Sequence, residues 1–134
     1  MSARKRLPRV AVDVVIVRRG GGVVLVKRRN EPFRGCWAIP GGFVEYGERV
    51  EEAAVREALE ETGLRVRLTK LVGVYSDPNR DPRGHVISIA YLAEEVGGEL
   101  KAGSDAGEVA VFKEIPRNIA FDHEKILRDA LNLG

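Results

Sequence analysis

Hydrophobic positions along the chain fall into runs with two different periods. "VAVDVVIVRR", residues 10–19, is β-branched and nearly continuous, the pattern of a strand buried on both faces. Gly20, Gly21 and Gly22 turn the chain, and "VVLVKRR", residues 23–29, follows as the expected hairpin partner. "LRVRLTKLVGVYSD" (64–77) and "HVISIAYLAEEV" (85–96) read as two long strands joined by the loop "PNRDPRG". After a turn at Gly97 and Gly98, "EVAVFKEIP" (108–116) reads as one more strand. Between the first pair of strands and the later ones, "RVEEAAVREALEET" (49–62) consists of strong helix formers. It stops at Gly63, where a left-handed cap is expected. "FDHEKILRDALNL" (121–133) closes the chain as a second helix, with Asp122 as the expected N-cap. Strands and helices do not alternate regularly, so the pattern predicts a mixed sheet with helices packed on it. The expected organisation is one α/β domain over residues 1–134.

The first helix carries an unusual charge pattern. Glu57, Glu60 and Glu61 share one arc at the helical period, whereas Val55 and Leu59 point roughly the other way. This predicts that Val55 and Leu59 pack on the sheet while the three carboxylates converge on another surface. Like charges three and four positions apart each weaken a helix by a few tenths of a kcal/mol unless something positive relieves them. A solvated Glu-rich helix is the ordinary explanation of such a run. The other is a site for a hard divalent cation, which takes oxygen ligands and shares its shell with water and phosphate. Arg56 sits among the acids and Glu48 lies about two turns earlier, so a supporting ion pair is sterically reasonable.

The spacing of the wider segment decides between them. "GFVEYGERVEEAAVREALEETGL", residues 42–64, resembles the Nudix box. That box reads glycine, five residues, glutamate, seven residues, then Arg-Glu-aliphatic-any-Glu-Glu-any-Gly-aliphatic. Gly42, Glu48, Arg56, Glu57, Glu60, Glu61, Gly63 and Leu64 fall on its positions, and Ala58 is a small residue at the first aliphatic one. The resemblance implies an α/β/α sandwich that hydrolyses a nucleoside diphosphate linked to another moiety, with magnesium or manganese. It further implies that Glu57, Glu60 and Glu61 bind metal, that Glu57 orients or deprotonates water, and that the Gly41 carbonyl is a further ligand. Arg56 and Glu48 would support those acids. Some relatives recruit another acid from a late loop, for which Glu108 is the first candidate and Asp105 the second.

Composition narrows the setting. With 134 residues, 44% hydrophobic, the chain suits one core, and its net charge of +2 demands no nucleic-acid or membrane partner. No run is long enough to span a membrane, and the single cysteine, Cys36, fits a reducing cytoplasm.

The flanks of the box bear on the substrate. Pro78 lies close to where a proline marks the ADP-ribose pyrophosphatase branch of the family. Arg80, Arg83 and His85 in "DPNRDPRGH" concentrate charge and donors suited to phosphate or a terminal ribose. Phe33 and Trp37 are candidates for stacking on adenine, with a core role for Trp37 equally open. This loop, "VISIAYLA" and "AFDHEKIL" are similar to the ADP-ribose group, which implies hydrolysis of ADP-ribose to AMP and ribose 5-phosphate and a homodimer. Two alternatives stay open: a triphosphate pyrophosphohydrolase of the oxidised-dGTP type, and a catalytically silent ADP-ribose-sensing module.

Overall fold

The computed structural model describes residues 6–104 and 106–133. Seven strands form one sheet among these residues: β1 (Arg9–Val17), β2 (Val23–Arg28), β3 (Trp37–Ala38), β4 (Gly41–Phe43), β5 (Leu64–Tyr75), β6 (Val86–Gly98) and β7 (Ala106–Phe112). Helix α1 (Val50–Thr62) lies between β4 and β5, and α2 (His123–Leu133) follows β7. The sheet order is β3-β2-β1-β6-β5, with β4 paired to β1 and β7 to β2. β1 and β6 run parallel, and the other pairs are antiparallel.

Strand periodicity explains the layering. Along β1, Val12, Val14 and Ile16 point to one face and pack with Ala53, Ala54 and Ala58 of α1. Val15 points to the other and packs with the cluster containing Ile126, Leu127 and Ala130 of α2. A strand covered by a helix on each side must be apolar at almost every position, which is why its sequence is nearly unbroken. The exception is Asp13, buried on the α2 side.

The structure revises two expectations. Strands β1 and β2 meet only around their turn, at Val17 and Val23, so they are not partners along their length. β1 instead pairs with β6 from Arg9 to Val17 and with β4 at its start, and β2 pairs with β3 and β7. Val55 and Leu59 do not dock α1 on the sheet, being 40% and 42% exposed. The docking face is Ala53, Ala54, Ala58 and Thr62, whose small side chains let the helix lie close to the strands. That close approach carries Glu57 and Glu61 toward the sheet. Asp122 directly precedes α2, as expected of its N-cap, and its carbonyl accepts the Ile126 N–H at 3.3 Å, while its carboxylate receives the Arg80 guanidinium at 2.6 and 2.9 Å. Gly63 takes the expected left-handed conformation at φ 77° and donates its N–H to the Leu59 carbonyl.

Candidate active site

The acid cluster on α1 is organised by Arg56. Its guanidinium donates to Glu48 through Nε at 2.7 Å and through a terminal nitrogen at 2.9 Å. It also reaches Glu57 at 3.1 Å, Glu60 at 3.2 Å and the Phe43 carbonyl at 3.2 Å. The charge-assisted pair pulls the Glu48 carboxyl down to about 2, chiefly through the Arg56 hydrogen bonds. One cation thus relieves the repulsion among three carboxylates and ties the helix to the loop before it.

Glu57 and Glu61 face a cleft of about 310 Å³, and Glu60 does not line it. The Glu60 side chain is 57% exposed and turned to Arg56. The three acids therefore do not converge: among the described residues no three acidic, histidine or cysteine side chains form a ligand cluster. Glu57 is the desolvated one. Burial raises its pKa, with Arg56 opposing and Glu60 reinforcing the shift. Its carboxylate lies against Gly42, where an added Cβ would collide with it, so the backbone there is kept bare for that group. Glu61 accepts the Gly41 N–H at 2.8 Å. Two carboxylates beside the Gly41 backbone are donors of the kind that magnesium or manganese takes, and the donor set fits such an ion.

The same cleft is also basic and aromatic. Arg28, Arg29, Arg80, Arg83, Phe43 and Phe121 line it. Arg80 forms its buried pair with Asp122, its side chain only 5% exposed. Arg83 pairs with Asp81 at 2.8 Å but stays 43% exposed, and its guanidinium lies over Phe43 and Phe121 at 5.3 and 5.5 Å. Arg28 donates to the Pro32 carbonyl at 2.6 Å. Burial first, and then the nearby Arg83, lowers the Arg28 pKa, while Glu61 and Asp81 oppose the shift.

Several residues singled out in the sequence lie elsewhere. His85 is exposed, with Nε2 2.9 Å from the Ser76 carbonyl, and Pro78 sits in the same outer loop; neither lines the cleft. Glu108 is on β7, 3.3 Å from Lys27, and it does not line the cleft either. Asp105 is outside the described residues. Phe33 is at the rim, its ring 4.7 Å from that of Phe121. Trp37 packs edge-on against Phe112 at 4.7 Å in the core. Sequence reasoning missed Asp13, Arg28, Phe43, Phe121 and His123, all of which line the cleft. A usable signal existed for one of them, since Asp13 is the lone charged residue inside an apolar strand.

Comparison with known proteins agrees with this geometry. The NUDIX domain family model matches residues 7–131. An ADP-ribose pyrophosphatase of Methanocaldococcus jannaschii is 57% identical over 124 residues, covering 91% of this chain and 72% of that protein. A candidate 8-oxo-dGTP diphosphatase of Bacillus subtilis is 38% identical over 100 residues, 75% of this chain and 61% of that one. Among solved structures, a MutT/nudix family protein from Enterococcus faecalis superimposes with a TM-score of 0.85 at 30% identity. That superposition covers 99% of this chain and 64% of the other.

Proposed function

The chain belongs to the Nudix hydrolase family, and on that premise we propose that it splits ADP-ribose into AMP and ribose 5-phosphate with magnesium or manganese. The observation that carries this reading is that Glu57 and Glu61 share one cleft with Arg28 and Arg83. The acids can hold a cation and the arginines the phosphates it acts on. A bound divalent ion would neutralise charge on the diphosphate oxygens and favour hydroxide over water. Glu57 orients the attacking water and takes its proton, a role that its raised pKa suits. Glu61 is steadied by the Gly41 N–H, and Arg56 holds Glu57 and Glu60 in place. Arg83 and Arg28 grip the diphosphate, while Phe33 and Phe121 offer flat apolar surface at the rim to a base. Arg80 acts through its buried pair with Asp122.

The 57% identity to an ADP-ribose pyrophosphatase supports this substrate. The Bacillus subtilis relative supports a nucleoside triphosphate as the second reading. Intact acids on α1 disfavour a silent sensor. Turnover of ADP-ribose and of oxidised dGTP, each with magnesium and with manganese, tests the assignment. The expected result is a higher kcat/KM for ADP-ribose, with AMP as product; a faster triphosphate would transfer the assignment to the second reading.

The family match over residues 7–131 supports a single Nudix domain filling the chain. No described helix is long and apolar enough to cross a membrane. A cytoplasmic setting fits a nucleotide substrate and the single cysteine. A homodimer is supported by β5, which lies at one edge of the sheet and leaves Leu71 and Val74 56% and 57% exposed. Leu131 and Leu133 of α2 are exposed as well, and Lys70 of β5 donates to the Leu133 carbonyl, so the two elements adjoin. Sedimentation should give a dimer for the wild type and a monomer for Leu71→Lys; a wild-type monomer would refute the assembly.

A further inference from the structure

At the floor of the cleft, three buried polar side chains from three different elements meet. Asp13 of β1 is 7% exposed, Ser88 of β6 is 0% and His123 of α2 is 5%. The Ser88 hydroxyl donates to one Asp13 oxygen. The other oxygen faces His123 Nε2 at 3.5 Å. On its far side the imidazole accepts the Ile39 N–H at Nδ1, at 3.0 Å. Because Nδ1 accepts, the ring proton resides on Nε2, toward Asp13. Burial lowers the imidazole pKa, with Asp13 and Asp122 opposing, which favours the neutral ring that an accepting Nδ1 requires. Such a network is energetically useful only when every member is satisfied, and here each one is.

The network ends on a backbone that matters. Ile39, Pro40 and Gly41 form the short link into β4. His123 holds Ile39 N–H, Val14 N–H donates to the Pro40 carbonyl at 2.8 Å, and Gly41 N–H donates to Glu61 at 2.8 Å. Asp13 is also the register partner of Gly41, and a Cβ on Gly41 would come within 2.7 Å of its Oδ1. The same aspartate thus abuts the link at Gly41 and faces the histidine that grips it at Ile39.

We propose that Asp13 and His123, with Ser88 behind them, are positioning residues that set the Ile39–Gly41 backbone and through it Glu61 for metal binding. This rests on the metal-dependent reading of the cleft and adds to it a support on the α2 side, remote from the box. Outer-shell partners of metal ligands typically affect metal affinity or activity by about 10–100-fold.

The test compares His123→Leu, which removes the acceptor at similar size, with His123→Asn, which returns an oxygen at the Nδ1 position. Manganese binding without substrate is read by electron paramagnetic resonance, and kcat and KM are read with ADP-ribose. For His123→Leu, manganese affinity and kcat should fall roughly 10–100-fold, with KM changed by less than about threefold. His123→Asn should recover most of both. Equal values for the two variants, or wild-type manganese affinity in His123→Leu, would overturn the proposal. Should His123→Leu fail to fold, Asp13→Leu decides, because it removes both carboxylate oxygens, the one that faces the His123 N–H and the one that accepts from Ser88, at similar size. Retained manganese affinity there refutes the network's role, and a tenfold loss sustains it. Since the manganese readout needs no substrate, it stays interpretable if ADP-ribose proves to be the wrong one.

Discussion

Gly42→Ala is expected to remove most hydrolysis while barely moving the melting temperature. The nearest atoms to a Cβ at this position are the two oxygens and the carboxyl carbon of Glu57. These are the free end of a flexible side chain, so the protein can accommodate the methyl by swinging Glu57 aside. Gly42 is not among the glycines with positive φ, so alanine fits its backbone. Alanine also reduces the freedom of the unfolded chain, which offsets some of the lost contact. The function does not tolerate the movement as easily, because displacing a catalytic group by about 1 Å can lower the rate roughly a hundredfold. We expect kcat to fall by about that factor or more. The melting temperature should shift by no more than about 4 °C, the order of 1 kcal/mol in a domain of this size.

Glu57→Gln should match that loss through a different route, by removing the charge itself. Its folded pKa is raised, so ionisation of Glu57 opposes folding as pH rises through that value. Its metal-free melting temperature at neutral pH should therefore be no lower than that of wild type. Near wild-type turnover in either variant would exclude Glu57 from the chemistry. A collapse of the fold in Gly42→Ala would mean that the collision is relieved by the backbone and not by the side chain.

The second large effect concerns Arg83. Its side chain remains 43% exposed in the cleft, and its guanidinium and that of Arg28 both lie over the Phe121 ring, at 5.5 and 5.0 Å. A charge-assisted hydrogen bond to phosphate contributes about 1.5–3 kcal/mol, so Arg83→Ala should lower kcat/KM for ADP-ribose roughly tenfold to a hundredfold. Arg83→Lys should fall between the two, because it restores charge without the planar fork. Asp81 is left without its guanidinium in the alanine variant but keeps the backbone N–H of residue 83 at 2.9 Å, which limits the loss of stability. Parallel assays with oxidised dGTP separate the possibilities. Equal losses on both substrates would make Arg83 a general phosphate contact, and no loss on either would make this loop a plain surface turn.

What could be read in advance followed the range of the interactions involved. The α1 helix, its end at Gly63 and the box from Gly42 to Leu64 are local: helix propensity, a left-handed cap and fixed spacing act within a few turns of chain. The Arg56–Glu48 pair belongs to the same class, since two turns of separation suffice to bring the groups together. Even the burial of β1 on both faces was visible, as an unbroken run of apolar residues with one charge in it. Asp13 announced that something polar must wait inside, although not what.

Partners distant in the chain were another matter. Nothing near Val10 to Val17 indicates that this strand would run parallel to β6, because hydrogen bonds of the sheet carry no sequence label of their own. The face on which α1 docks depended on how closely alanines allow a helix to approach, and packing overrode the simple contrast of Val55 and Leu59 against the acids. His85 and Arg83 are two residues apart, yet one points to solvent beside Ser76 and the other over Phe121. By itself the sequence determined the family, the acids on α1 and the arginine that organises them, all set by local geometry. Only the tertiary structure decided that Arg28, Phe121 and His123 share their cleft, because burial and charge compensation across a folded sheet select neighbours that chain distance does not.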